Sequence, residues 1–262
     1  MIKIGEKLNS SIPKILKALH THDEDNIVEM VKSQSEGGAD YLDINTALTG
    51  DKERQNLEWL IGLTLQHSAC GLMIDSPNPD VIASCLHMAA GRAVIINSVS
   101  LDDKYDELIR IAGELGAGFV CLPISGKKIP KTAGERFENA ARLIEKMKAF
   151  GIEEKMLYID VLVEALATDD QAGLTALETI KRMRDGFPGV NTICGLSNIS
   201  FGLPGRERIN AAFLTMAMEC GLRSAILDIT SPAIREALYT GNALLGRDEY
   251  CLDYIGYYRS SL

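Results

Sequence analysis

The chain has 262 residues, 46% hydrophobic and 24% charged, a size and balance that suit one large α/β domain and exclude intrinsic disorder. A formal net charge of -9 argues against a nucleic-acid-binding face, which needs a surplus of Lys and Arg, but it leaves room for an acidic small molecule held by one local cation. The six cysteines and four histidines fall into no zinc-like spacing, and no apolar run approaches the roughly 18 residues of a membrane span, so the expectation is a cytoplasmic protein with reduced thiols and no membrane partner.

The first strand is expected at IKIGEKL (2–8), and polar residues Glu6, Lys7 and Asn9 gather at its end. Helical spacing follows over 24–37 and stops at Gly37-Gly38. DYLDI (40–44) reads as the second strand, ending Asp43-Ile44-Asn45, and GLMIDS (71–76) as the third, ending Asp75-Ser76. The fourth, AVIINSV (93–99), carries Asn97-Ser98. Asp102 is an acceptable N-cap for a helix over 103–115. GFVCLPI (118–124) is the fifth strand, and Thr132 precedes a helix over 133–149. MLYIDVLV (156–163) reads as a sixth strand with Asp160 in its middle. A helix over 172–185 leads to the seventh strand, NTICGLS (191–197), which ends in Ser197-Asn198. A helix over 206–220 opens with Arg206 and Arg208, and SAILDI (224–229), with Asp228, is the eighth strand. The tail, with Tyr250, Tyr254, Tyr257 and Tyr258, suits either packing of a last helix or a contact between chains.

Near-continuous apolar strands imply a parallel sheet covered on both faces. Eight of them alternating with helices predict a single-domain α/β fold, a (β/α)8 TIM barrel over residues 1–262. An open doubly wound sheet is the alternative; it is disfavoured by the count of eight and by the lack of G-x-G-x-x-G after the first strand.

A barrel of this kind holds its active site at the C-terminal ends of the strands. Any one Asp, Asn or Ser there is equally a turn-former. Their recurrence at seven of the eight strand ends points to a ligand. Asp160, within an apolar run, needs a donor partner, because an unpaired buried charge is costly. No Cys or His stands at a matching position to make a nucleophile–base pair, and Lys7 is the only candidate amine. Carboxylates and amides together suit a flat heterocycle with an amidine-like edge, such as a pterin.

The motifs GEKLN (5–9), DIN (43–45), DSPNP (75–79), NSVS (97–100), YIDVLV (158–163) and GLSNIS (195–200) stand in this order along the chain. In this the chain resembles the pterin-binding methyltransferases that move a methyl group between methyltetrahydrofolate and a corrinoid protein. That family includes the acetogens' methyltransferase for the corrinoid iron–sulfur protein, and the folate domain of cobalamin-dependent methionine synthase is related. The resemblance implies that Asp75, Asn97 and Asp160 bind the pterin ring and that Asn198 contacts N5, the methyl-bearing nitrogen, with Asn198 and Asp160 as the catalytic pair. Glu6 and Asn9 would support the floor of the site, Gly195 and Ser197 its turn, and Arg206 or Arg208 the glutamate tail of a folate. Lys7 stands where the family usually has Arg, and Phe201 where many relatives have a polar residue, often Gln. The substrate implied is tetrahydrofolate or 5-methyltetrahydrofolate. No D-x-H-x-x-G motif is present, so the corrinoid (cobalamin) is expected on a separate corrinoid protein, and a homodimer is expected as in relatives. Dihydropteroate synthase, another pterin-binding barrel, is the first competitor, but its Ser-Arg-Lys and Arg-x-His elements are missing where this chain has Ser197-Asn198-Ile199 and LDITSP. A non-catalytic pterin-binding module that docks a corrinoid carrier is the second; it would keep Asp75, Asn97 and Asp160 and lose the N5 contact.

Overall fold

The computed structural model describes residues 1–89, 91–126 and 128–260. In chain order the elements are β1 (Ile2–Asn9), α1 (Pro13–Thr21), α2 (Glu24–Glu36), β2 (Tyr41–Asn45), α3 (Glu53–His67), β3 (Gly71–Asp75) and α4 (Pro79–Cys85). Then come β4 (Val94–Val99), α5 (Asp106–Glu114), β5 (Gly118–Cys121), α6 (Ala133–Ala149), β6 (Leu157–Asp160) and α7 (Ala172–Gly186). The chain continues with β7 (Asn191–Ile193), α8 (Arg206–Cys220), β8 (Ser224–Leu227), α9 (Pro232–Leu244) and α10 (Leu252–Ser260). The eight strands form one parallel sheet in the order β7-β6-β5-β4-β3-β2-β1-β8. The ends meet at a single bridge, Gly195 to Ile226, where the Ile226 N–H donates to the Cys194 carbonyl at 2.9 Å. Side chains reinforce this closure: Ser224 Oγ donates to the Thr192 carbonyl at 2.6 Å and the Arg223 N–H to Thr192 Oγ1 at 3.2 Å. The result is the expected (β/α)8 barrel.

Strand residues alternate between the barrel interior and the helices. Ile4, Met73, Ile95, Val120, Tyr158 and Ile193 fill the interior. The other face, with Leu42, Ile44, Leu72, Ile74, Ile96, Phe119 and Ile159, packs under helix residues such as Ile27, Val31, Leu57, Leu60 and Ile61. One interior step further toward the C-terminal end, the same parity sets Asp43 beyond Tyr41, Asp75 beyond Met73, Asn97 beyond Ile95, Asp160 beyond Tyr158 and Asp228 beyond Ile226. An apolar plug therefore lies beneath a polar layer.

Four strands stop two or more residues before the sequence suggests, the eighth at Leu227 rather than 229. The fifth ends at Cys121 rather than 124. The sixth stops at Asp160, so this carboxylate ends the strand instead of interrupting it: Asp160 Oδ1 accepts the Leu162 N–H at 2.7 Å, and Leu162 turns the chain with φ of 56°. The seventh stops at Ile193, and Ser197 and Asn198 lie on a 3-10 turn, Leu196–Ser200, beyond the strand. Helices α1, α3, α4 and α9 add to those read from the sequence. Of the six cysteines, only Cys251 is exposed, the other five being small buried groups as expected. Three of the four tail tyrosines pack on α9 or on one another: Tyr257 stacks on Tyr239 at 4.5 Å and meets Tyr258 at 5.2 Å, and Tyr254 lies 4.9 Å from Tyr258, while Tyr250 is exposed.

Candidate functional site

A cavity of about 680 Å³ opens at the C-terminal end of the barrel, lined by residues from β1, β2, β3, β4, the turn after β7, α8 and β8. Its floor is the polar layer. Asp75 faces Asn45 on one side and Asn97 on the other in strand register. The Asn45 Nδ2 donates to Asp75 Oδ2 at 2.9 Å, while Asn45 Oδ1 accepts from Ser10 Oγ at 3.0 Å and from the Ala47 N–H at 3.1 Å. Those two bonds to Oδ1 fix which end of the amide meets Asp75. Burial, with Glu53 nearby, lifts the Asp75 carboxyl to about 6 against the opposing Asn45 bond.

Asp43 lies deeper. It is 2% exposed, and its Oδ1 has no hydrogen-bond partner among the described residues. Burial first, then the neighbouring Asp75 charge, hold its carboxyl well above the usual carboxylate range, with Asn97 and Asn9 opposing. Asn210 Oδ1 and Ser231 Oγ, on residues that line the same cavity, are likewise buried and unpartnered among the described residues. Buried polar atoms of this kind cost free energy until a ligand or water meets them.

The opposite wall is built by the turn after β7. Ser197 Oγ lies 2.8 and 2.9 Å from the two Glu6 carboxylate oxygens, tying the turn to β1. Burial raises the Glu6 carboxyl, and the Ser197 bond offsets part of that rise. Gly195 makes space for Asn198: a Cβ at 195 would stand 3.1 Å from Asn198 Nδ2. Arg206, at the start of α8, donates through Nε to Ser200 Oγ at 3.0 Å and through Nη2 to the Ser197 carbonyl at 2.8 Å. It thus braces the turn while lining the cavity, and its guanidinium lies 5.9 Å from the Phe201 ring centroid. Phe201 is 67% exposed at the rim. Lys7 Nζ sits 2.6 Å from Asp228 Oδ2, and Asp228 Oδ1 accepts from Thr230 Oγ1 at 2.6 Å, so a carboxylate engages the only candidate amine.

The cavity brings together Glu6, Asn9, Asp75, Asn97, Gly195, Ser197, Asn198 and Arg206, all of which were expected there. Asp160 ends β6 on the same side of the sheet, beside the cavity rather than in its lining. Burial lifts its carboxyl to about 6, opposed by the Leu162 N–H and by Arg136. Arg208 is not part of the lining. Sequence reading left out Asp43 as a site residue, and also Asn210 and Ser231. The signal for Asp43 was present: it shares strand parity with Asn45, two residues on.

A model of the family described as pterin binding enzyme matches residues 5–228. The methylcorrinoid:tetrahydrofolate methyltransferase of Eubacterium limosum is 32% identical over 257 residues, covering 97% of this chain and 94% of that one. The methionine synthase of Mycobacterium leprae is 30% identical over 241 residues, 87% of this chain but 20% of that protein. Among solved structures, dihydropteroate synthase from Xanthomonas albilineans, in complex with 7,8-dihydropteroate, superposes with a TM-score of 0.73 over 93% of both chains at 19% identity. Dihydropteroate synthase from Thermus thermophilus gives 0.66 at 16% identity, over 93% of this chain and 94% of that one. These two likenesses concern the fold alone. The family match spans most of the barrel, and the Eubacterium limosum relative aligns along nearly its whole length; the chain belongs to the pterin-binding enzyme family.

Proposed function

We propose that this protein is a methyltransferase that passes a methyl group between N5 of tetrahydrofolate and the cobalt of a corrinoid protein. The observation that carries the reading is the placement of Asn198 on the wall of a cavity whose floor holds Asp75 and Asn97. A module that only bound the ring would need the floor and not this amide. The Eubacterium limosum relative, a methylcorrinoid:tetrahydrofolate methyltransferase, supports the same chemistry.

The donor set fits the ring. Asp75 keeps one oxygen outside its bond to Asn45, and two N–H groups of an amidine-like edge match such a carboxylate. Asn97 reads a carbonyl or ring nitrogen, and Asp160 adds a second carboxylate at the same end. The corrinoid supplies a strongly nucleophilic cobalt as methyl acceptor, or the methyl itself in the reverse direction, and reaches the site on a separate protein docked over the mouth. The chain's own part is to bind, orient and manage one proton. Breaking the N5–methyl bond leaves a lone pair on N5, and that nitrogen departs readily only when protonated. The Asn198 amide donates to neutral N5 or accepts from protonated N5, so it stabilises both states and the charged one more. Ser197, Glu6 and Arg206 hold the turn that aims it. We take the enzyme to be cytoplasmic and homodimeric.

The cavity cations argue against pyrophosphate departure, the chemistry of dihydropteroate synthase. Lys7 is engaged by Asp228, and Arg206 is tied to Ser200 and Ser197.

The test is an anaerobic mixture of protein, cob(I)alamin and methyltetrahydrofolate, followed by loss of the cob(I)alamin absorbance. Transfer is expected, and Asn198→Ala should slow it by ~10²-fold or more while tetrahydrofolate still binds, the scale of losing one preorganised contact. Full activity in that variant would remove Asn198 from the mechanism.

A further inference from the structure

The largest fully buried side chain among the described residues is a cation. Arg136, in the first turn of α6, is 1% exposed and lies outside the cavity. Its Nε donates to the Pro130 carbonyl at 3.0 Å, its Nη1 to the Val161 and Leu162 carbonyls at 2.8 and 2.9 Å, and its Nη2 to Glu164 Oε2 at 2.9 Å. Burial pulls the guanidinium's affinity for its proton down, with Glu164, Asp160 and Asp169 opposing. A buried guanidinium is tolerated only when its donors are met, and here most are met by one short segment, residues 161–164.

That segment follows directly on Asp160. The Leu162 N–H donates to Asp160 Oδ1, while the Leu162 carbonyl accepts from Arg136. Leu162 itself has φ of 56°, an unfavourable region for a branched side chain, so the turn needs outside support. The groups facing Asp160 are few. They are Arg136 from α6 and the Cys194 thiol just beyond β7; Glu164 and Asp169, from the loop after β6, oppose the same guanidinium, and Tyr158 stands two residues earlier on the strand. The thiol is held neutral by burial and by the charge of Asp160, and burial lifts the Tyr158 phenol to about 12. Arg136 is thus the one positive charge of the set.

The geometry points to Arg136 as the positioning residue for Asp160: it clamps the turn that aims the carboxylate and supplies the charge that keeps it ionised within a buried site. Its importance for catalysis rests on the proposed reading of Asp160 as a ring-binding group; its effect on the carboxylate does not. Glu164 competes for the same guanidinium and is itself shared with Lys131 at 2.6 Å, so the clamp reaches the surface.

The experiment follows the Asp160 carboxyl by carbon-13 NMR against pH in the free protein, with Asp160→Asn to assign the resonance. Tetrahydrofolate affinity is measured over the same range by calorimetry. Arg136→Met is expected to raise the Asp160 midpoint by about one pH unit or more, the effect of removing a nearby opposite charge. It should weaken tetrahydrofolate binding about tenfold at neutral pH, and far less when Asp160 is already Asn, since the two residues then act as one unit. Arg136→Lys should restore part of the midpoint shift but less of the affinity, because an ammonium cannot reach several carbonyls in one plane. Glu164→Gln keeps the guanidinium and should move the midpoint the other way, which preserves a test if Arg136→Met does not fold. A lower melting temperature with unchanged midpoints in the folded variants would overturn the inference and leave Arg136 a purely structural residue. Failure of the wild-type protein to bind tetrahydrofolate would count against the proposed function instead, with the carboxyl titration still deciding the role of Arg136.

Discussion

Gly195 sets where the Asn198 amide can lie. Any side chain at 195 would bring a carbon to 3.1 Å from Asn198 Nδ2, tighter than an ordinary contact. Gly195→Ala is therefore expected to slow methyl transfer roughly tenfold by displacing a positioned group, with the melting temperature nearly unchanged. Kinetics beside a thermal melt would separate the two effects. Asp75 gives a prediction in pH. Its folded-state carboxyl titrates at about 6, above the ordinary range, because burial disfavours the charge. An acid raised in this way contributes stability that is present at low pH and lost as pH rises to about 6. Asp75→Asn should then be more thermostable than wild type at neutral pH, with the gap closing as pH falls toward about 4. Tetrahydrofolate binding should run the other way, weak in the variant and falling in wild type as pH drops through about 6. Most of these residues are legible in sequence, since Asp75, Asn97 and Asn198 stand at the ends of apolar runs. The place of Asp43 is legible in the same way, from strand parity, but its unmet oxygen and its closeness to Asp75 are facts of three-dimensional placement.

At the level of elements, helix signals carry well when they are chemical and poorly when they are only apolar. Thr132 and Glu135 form a reciprocal capping box at the start of α6, the helix that carries Arg136. Thr132→Ala should lower stability by ~1 kcal/mol in denaturant titration. Three of the helices that periodicity does not reveal, α1, α4 and α9, begin with Pro13, Pro79 and Pro232 in the first turn, a signal independent of apolar spacing. Strands six and seven look too long in sequence for a definite reason. The turns that follow them are themselves buried, with Val161, Val163, Leu196 and Ile199 in the core around α7, α8 and α9. Apolar composition runs on after the ladder has stopped, and only the bonds of Asp160 and Ser197 reveal the break.

Across the whole molecule the two ends of the barrel divide the work. At the end away from the cavity, Arg184 and Arg247 donate to the Cys220 and Met218 carbonyls and so finish α8, and Arg223 donates to the Val190 carbonyl. At the other end the carboxylates and amides face the cavity. The circle of strands, by contrast, is uneven. Between β7 and β8 one parallel bridge replaces a ladder, and Gly195, which makes room for Asn198, is half of that bridge. The wall has a seam, and the proposed methyl-transfer amide hangs beside it. The Ile226 amide is expected to exchange its hydrogen with solvent faster than the Met73 or Ile95 amides, in mass-spectrometric or NMR exchange, because less must open to free it. A ligand gripped by Asn198 on one side and Asp75 on the other spans the mouth like a hoop on a cask, so tetrahydrofolate should slow that exchange most at the seam.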